Sequence, residues 1–142
     1  MEPTQVLVVA NQTSTAAGLR EEILRRARSA PHVFHLVVPA TPPHEHMTFT
    51  EGDAHEIARR RMEAALEQLK AEGIEITGSV GDASPVLAIG DALIVRPYDE
   101  IILSTLPAGM SRWLKKDLPQ RVQRRYEIPL TVVIAQPAHA VG

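Results

Sequence analysis

The sequence contains no cysteine. That removes disulfide staples, thiolate zinc sites, iron–sulfur clusters and cysteine nucleophiles, and it fits a cytoplasmic setting. Aromatic residues are 4% of the chain, with two Tyr, two Phe and one Trp, too few for a surface that stacks successive bases. Neither sign of charge dominates. The 15 Lys and Arg stand against 17 Asp and Glu, a formal net charge of -2, which argues against a dedicated nucleic-acid binder. No apolar run approaches the ~18 residues of a membrane span. The opening Met1-Glu2-Pro3-Thr4-Gln5 is acidic rather than basic, so no signal peptide is expected. Glycine is scarce at 8 and proline outnumbers it at 11, which becomes informative once the missing glycines are placed.

What is present is a chain of 142 residues, 44% hydrophobic and 23% charged. This implies one globular domain over 1–142. The core is expected over about 4–135, with 136–142 as a flexible tail. Five apolar, β-branched runs stand out: Gln5 to Ala10, Val33 to Val38, Ile74 to Val80, Glu100 to Ser104 and Leu130 to Ala135. Four are near-continuous, as expected of strands buried on both faces of a parallel sheet. The third alternates weakly, through Ile74, Ile76 and Val80.

Helical periods fill the gaps. Between Thr15 and Ala30 the apolar ladder is Ala16, Leu19, Ile23 and Ala27. Between Asp53 and Ala71 it is Ala54, Ile57, Ala58, Met62, Ala65, Leu66 and Leu69, with Gly73 placed for a C-terminal cap. Ser84-Pro85 reads as an N-cap followed by proline in the first turn, opening a helix that runs to about Val95. A last helix follows Asp117, with Leu118, Val122 and Tyr126 inward and Pro119 in its first turn. Strict alternation of strand and helix predicts an α/β fold: a doubly wound, five-stranded parallel sheet with helices on both faces. Ligands in such folds bind beyond the carboxyl ends of the strands, which directs attention to Asn11–Thr15, Pro39–Gly52, Gly81–Ser84 and Thr105–Lys116.

Several stretches resemble the universal stress protein family. They are Val6-Leu7-Val8-Val9-Ala10-Asn11, Phe34-His35-Leu36-Val37-Val38-Pro39, Val80-Gly81-Asp82, Tyr98-Asp99-Glu100-Ile101-Ile102-Leu103, Ser111-Arg112-Trp113-Leu114 and Ile128-Pro129-Leu130-Thr131-Val132-Val133. The ordered set covers Thr4 to Ala135. The resemblance implies a nucleotide-binding-type fold, usually dimeric, in a family whose members divide into ATP binders and non-binders. Binders carry Gly-x-x-Gly, nine residues, then Gly-Ser or Gly-Thr, with an aspartate closing the first strand.

Those glycines let backbone approach phosphates, and the final pair opens a helix whose free N–H groups hold an anion. Between Asp99 and Ala135 the chain has one glycine, Gly109. Aligned from the fourth strand, the first two motif positions fall on Ser104 and Pro107. Aligned back from Ser111-Arg112, they fall on Leu103 and Leu106. The terminal pair falls on Lys116-Asp117, where a capping carboxylate is expected to occupy the N–H donors and repel polyphosphate. Asn11 stands where binders have aspartate, with one acceptor but no charge. The expected cleft is therefore a degraded nucleotide site around Asn11, Val38, Ser104, Gly109, Ser111, Arg112, Lys116 and Asp117. No cofactor is expected, with ATP or AMP through a rearranged loop as the alternative.

Other features have competing readings. His44, His46 and His55 are weak metal candidates without a standard ligand spacing; a solvated loop is preferred, and a metal-dependent hydrolase is the remaining enzymatic alternative. His35 reads as a satisfied strand histidine. Trp113 either seals the cleft or anchors a partner, or it packs in the core. The basic stretch Arg112, Lys115, Lys116, Arg121, Arg124 and Arg125 reads as a solvated helix face with ion pairs at a dimer contact. No nucleophile elbow, P-loop or dinucleotide fingerprint occurs. The final strand, Leu130, Thr131, Val132, Val133 and Ile134, is expected at a sheet edge, where pairing with a second copy would cover it. The expectation is a non-enzymatic, dimeric stress or regulatory protein of the cytoplasm. It would bind an unidentified protein or small ligand, and neither nucleic acid nor membrane.

Overall fold

The computed structural model describes residues 2–41 and 51–135. The expectations for His44, His46 and the tail over 136–142 lie outside those residues. Five strands alternate with helices: β1 (Thr4–Val9), α1 (Ala17–Ser29), β2 (His32–Pro39), α2 (Glu51–Ala71), β3 (Ile76–Gly81), α3 (Pro85–Val95), β4 (Glu100–Thr105), α4 (Arg112–Lys115), α5 (Leu118–Arg125) and β5 (Leu130–Ile134). All pairings are parallel, in the order β3-β2-β1-β4-β5. β5 forms one edge, as expected.

Side chains alternate across the sheet, so each central strand feeds two cores. Val6, Val8, Phe34, Leu36 and Ile102 face Leu19 and Ile23 of α1 and Ala58, Ala65 and Leu69 of α2. Leu7, Val9, Ile101 and Leu103 face Val86 and Ile89 of α3 and Leu118 and Val122 of α5. The three layers explain why β1 and β4 read as unbroken apolar runs. β3 is the opposite edge, and its alternation reflects one dry face.

Two boundaries differ from the sequence reading for physical reasons. Ile74 is not strand. Gly73 adopts φ +82, its N–H bonds the Lys70 carbonyl, and Ile74 N–H bonds Leu69 O at 3.1 Å. Ile74 is thus the buried hydrophobic that closes the C-terminal cap of α2. α1 begins at Ala17, not Thr15, with Ala16 at the N-cap and no side-chain cap. The hydroxyls that precede it are committed elsewhere: Thr13 bonds Ser104 at 2.6 Å and Ser14 donates to the Arg61 carbonyl at 3.4 Å.

α3 starts as expected. Ser84 Oγ accepts the Leu87 N–H at 3.4 Å, and Pro85 occupies the first turn. His35 also matches its reading, with ring nitrogens 2.6 Å from Thr77 Oγ1 and 3.0 Å from Ser79 Oγ on the neighbouring strand. Near the other end of the sheet, Arg26 is buried with each of its three side-chain nitrogens hydrogen-bonded. Its guanidinium donates to Glu22, to Glu100 at 2.8 Å and to Thr131 Oγ1 at 2.8 Å. Burial alone would lower its pKa; the two carboxylates hold it above the ordinary value. Among the described residues no helix is long and apolar enough to cross a membrane.

Candidate functional site

The chain leaves β1 for one side of the sheet and returns at β4 for the other. Their carboxyl ends therefore flank the switch point, the place where doubly wound sheets open a crevice. A cleft lies there, lined by Asn11, Gln12 and Thr13 after β1, Thr41 after β2, Arg61 of α2, Ser104 and Thr105 of β4, and the lip Leu106, Met110, Ser111, Arg112 and Trp113.

The lip is built by short-range hydrogen bonds. Pro107 O accepts Met110 N–H at 3.0 Å and Ser111 N–H at 3.1 Å. Gly109, at φ +92, takes the third position of that turn, where a positive φ is required. Its role is turn geometry, and it does not line the cleft. Ser111 caps α4 by accepting Leu114 N–H at 3.1 Å, and its hydroxyl meets Thr105 Oγ1 at 2.5 Å. Trp113 lines the cleft and also packs against the core that holds Leu118 and Val122, so its two readings meet in one side chain.

The expected site residues divide. Asn11, Ser104, Ser111 and Arg112 line the cleft. Val38 is fully buried in the core beneath. Lys116 and Asp117 are exposed and outside the lining. Asp117 also departs from the capping role expected for it. It stands at the N-cap position of α5, but at φ 54 and ψ 38, with no side-chain cap hydrogen bond. A left-handed residue turns its side chain away from the first-turn N–H groups, so its carboxylate does not compete for them. Pro119 in that turn still removes one donor. Lys115, Lys116, Arg121, Arg124 and Arg125 are exposed, as a solvated face requires. His55 is exposed on α2, and no group of His, Asp and Glu among the described residues could hold a metal.

The residue that sequence reading missed is Arg61. It is half-buried, lines the cleft, and its guanidinium donates to Asn11 Oδ1. Asn11 is itself 7% exposed and oriented by donating Nδ2–H to Pro39 O at 2.8 Å. Burial lowers the Arg61 pKa, and no carboxylate among the described residues raises it again; guanidinium remains cationic nonetheless. Two signals were available. Arg61 falls on the buried stripe of α2 defined by Ala54, Ala58, Ala65 and Leu69, where a charge is out of place. Its i±3 and i±4 neighbours are Ile57, Ala58, Ala64 and Ala65, whereas Arg59 and Arg60 pair with Glu56 one turn away.

The free space between the lining side chains is about 60 Å³. That accommodates about two water molecules, well below the ~300 Å³ at which small-molecule pockets begin. A larger ligand needs the lip displaced, or sits mostly outside and inserts one small group.

This architecture defines an α/β protein with a binding crevice at the switch point of a five-stranded parallel sheet. Solved structures place it further. A universal stress protein in complex with cAMP superposes with a TM-score of 0.57 at 16% identity, over 94% of this chain and 98% of that one. A universal stress protein from Archaeoglobus fulgidus gives 0.62 at 15% identity, over 94% and 99%. The chain therefore has the universal stress protein fold. No protein-family model matches the sequence. No curated protein matches it either.

Proposed function

We propose that the protein is a divergent, non-enzymatic universal stress protein-like binding protein. It acts in stress or regulatory adaptation through a small ligand or a protein partner, without the glycine-loop grip on ATP. The observation that carries this reading is the cleft lining: among the described residues it contains no glycine. Ser104 and Leu106, which stand at motif positions where a phosphate loop needs bare backbone, turn side chains into the cleft instead. The nucleotide alternative has its own support, because a protein of the same fold was crystallised with cAMP. In that case ATP or AMP binds through a rearranged loop.

The same reading includes a cytoplasmic homodimer formed through β5. Among the described residues this strand pairs with β4 on one side only. On the face that carries Leu130, Val132 is 37% and Ile134 50% exposed. An apolar open edge of this kind favours pairing with a copy of itself.

Titration calorimetry with Mg-ATP tests the ligand assignment, and sedimentation velocity tests the assembly. The expected results are no micromolar Mg-ATP affinity and a dimer that Ile134→Lys converts to monomer. Micromolar Mg-ATP binding overturns the ligand reading; a wild-type monomer overturns the assembly.

A further inference from the structure

Arg26, buried, and Arg61, half-buried, occupy this fold under different terms. Arg26 is neutralised by Glu22 and Glu100. Arg61 has one neutral partner, Asn11, and no carboxylate among the described residues. A half-buried guanidinium with one bond among the described residues, out of five donors, is costly to maintain. Such a cation persists where a ligand completes it.

The hydroxyls around it carry the same sign. Thr13 and Ser104 share one hydrogen bond of 2.6 Å, and both are at least 99% buried. Each hydroxyl brings one proton, and the bond between them uses one. The second proton of the pair has no acceptor among the described residues. Thr105 and Ser111 repeat the arrangement at 2.5 Å, and Ser111 Oγ already accepts from Leu114. Both pairs and Arg61 line one cleft, and no described carboxylate does. The site thus offers spare donors, positive charge and space for one compact group.

We propose that Arg61, with the Thr13–Ser104 and Thr105–Ser111 hydroxyl pairs, forms a subsite for a single phosphate group, replacing the missing backbone loop with side-chain donors. Asn11 is the residue that leaves this subsite charged. An aspartate there would pair with Arg61 and cancel it, and would lose the N–H that holds Pro39 O. The asparagine that weakens one kind of site therefore creates another. The proposal rests on the cleft being the binding site, and it specifies which ligands enter it.

The test is calorimetry at low salt with inorganic phosphate, AMP and adenosine, on wild type and on Arg61→Gln, Arg61→Lys and Asn11→Asp. AMP is expected to bind the wild type at least about tenfold more tightly than adenosine, the worth of one charge-assisted hydrogen bond. That ratio collapses toward one in Arg61→Gln and in Asn11→Asp, and it is partly kept in Arg61→Lys. Asn11→Asp keeps Arg61 in place, so it reports on charge even if the glutamine variant folds poorly. Binding of inorganic phosphate alone that disappears in Arg61→Gln identifies the free anion as the ligand; binding of AMP alone identifies a phosphate ester. Equal affinity for AMP and adenosine, an AMP preference that survives both Arg61→Gln and Asn11→Asp, or no binding of any of the three overturns the proposal. Mg-ATP binding unaffected by Arg61→Gln would overturn it and the loop-free reading together; Mg-ATP binding lost in Arg61→Gln would overturn only the latter.

Discussion

Gly90 lies inside α3, where alanine is ordinarily better by about 0.5–1 kcal/mol. Here the neighbourhood reverses that sign. A Cβ at position 90 would lie 2.5 Å from the Tyr126 hydroxyl oxygen and 3.5 Å from its Cζ. The hydroxyl donates to Val86 O at 2.8 Å, tying the end of α5 to α3. To reach ordinary contact it must retreat by about 1 Å, which breaks that bond. The bond contributes about 0.5–1.5 kcal/mol and the crowding costs about 1–3 kcal/mol. Gly90→Ala is therefore expected to destabilise by about 0.5–4 kcal/mol after the helix gain. In a Tyr126→Phe background the hydroxyl is gone and the ring contact is ordinary, so the same substitution should stabilise by about 0.5–1 kcal/mol. Urea unfolding of the four proteins closes the cycle. Equal destabilisation in both backgrounds would refute the packing argument, because the penalty would then lie in the helix itself.

Two further predictions concern pH. Burial, and secondarily the Arg96 charge, hold the His35 imidazole below its ordinary value. The native state then binds fewer protons than the unfolded chain, so stability should fall as pH drops from about 6.5 toward the lower folded value, and then level off. Melting curves across that window should show the loss in wild type and not in His35→Gln; parallel curves would contradict it. At Glu22, burial pushes the carboxyl up, but the Arg25 and Arg26 hydrogen bonds outweigh it and hold it below its ordinary value. The Arg26 cluster thus stabilises at neutral pH and is lost as pH falls below about 4.5. Arg26→Met should cost about 1–3 kcal/mol at pH 7, because Glu22 and Glu100 retain some solvent. The cost should shrink at pH 3, by urea unfolding at both pH values.

Much of the fold was legible because the centres of β1 and β4 are buried on both faces, which leaves them as near-continuous apolar runs. Ser84-Pro85 was equally readable, since its capping depends only on local residues. Ile74 was not: an apolar residue after Gly73 serves a helix cap as well as a strand, and only its backbone bonds to Leu69 decide. Asp117 misled for a related reason. Residue type marks a cap, but the left-handed backbone that withdraws the carboxylate has no sequence signature in a non-glycine residue. At the cleft, Asn11, Ser104 and Ser111 were found from strand ends and the family resemblance. Arg61 reaches the cleft from the middle of α2, fifty positions from Asn11, and only its place on the buried stripe and the uncharged i±3 and i±4 positions around it gave a sign.

Thr105 holds two posts at once. Its carbonyl accepts Ala135 N–H at 2.9 Å in the last rung beside β5, and its hydroxyl holds Ser111 across the mouth of the lip. The five residues between, Leu106 to Met110, therefore form a closed loop whose ends are joined by a side-chain bond outside it as well as by Pro107 O within it. Insertions and deletions there change the length of a surface loop at small entropic cost and leave the strand register untouched. The lip is a replaceable part, and a chain built this way can exchange one ligand grip for another without renegotiating its fold.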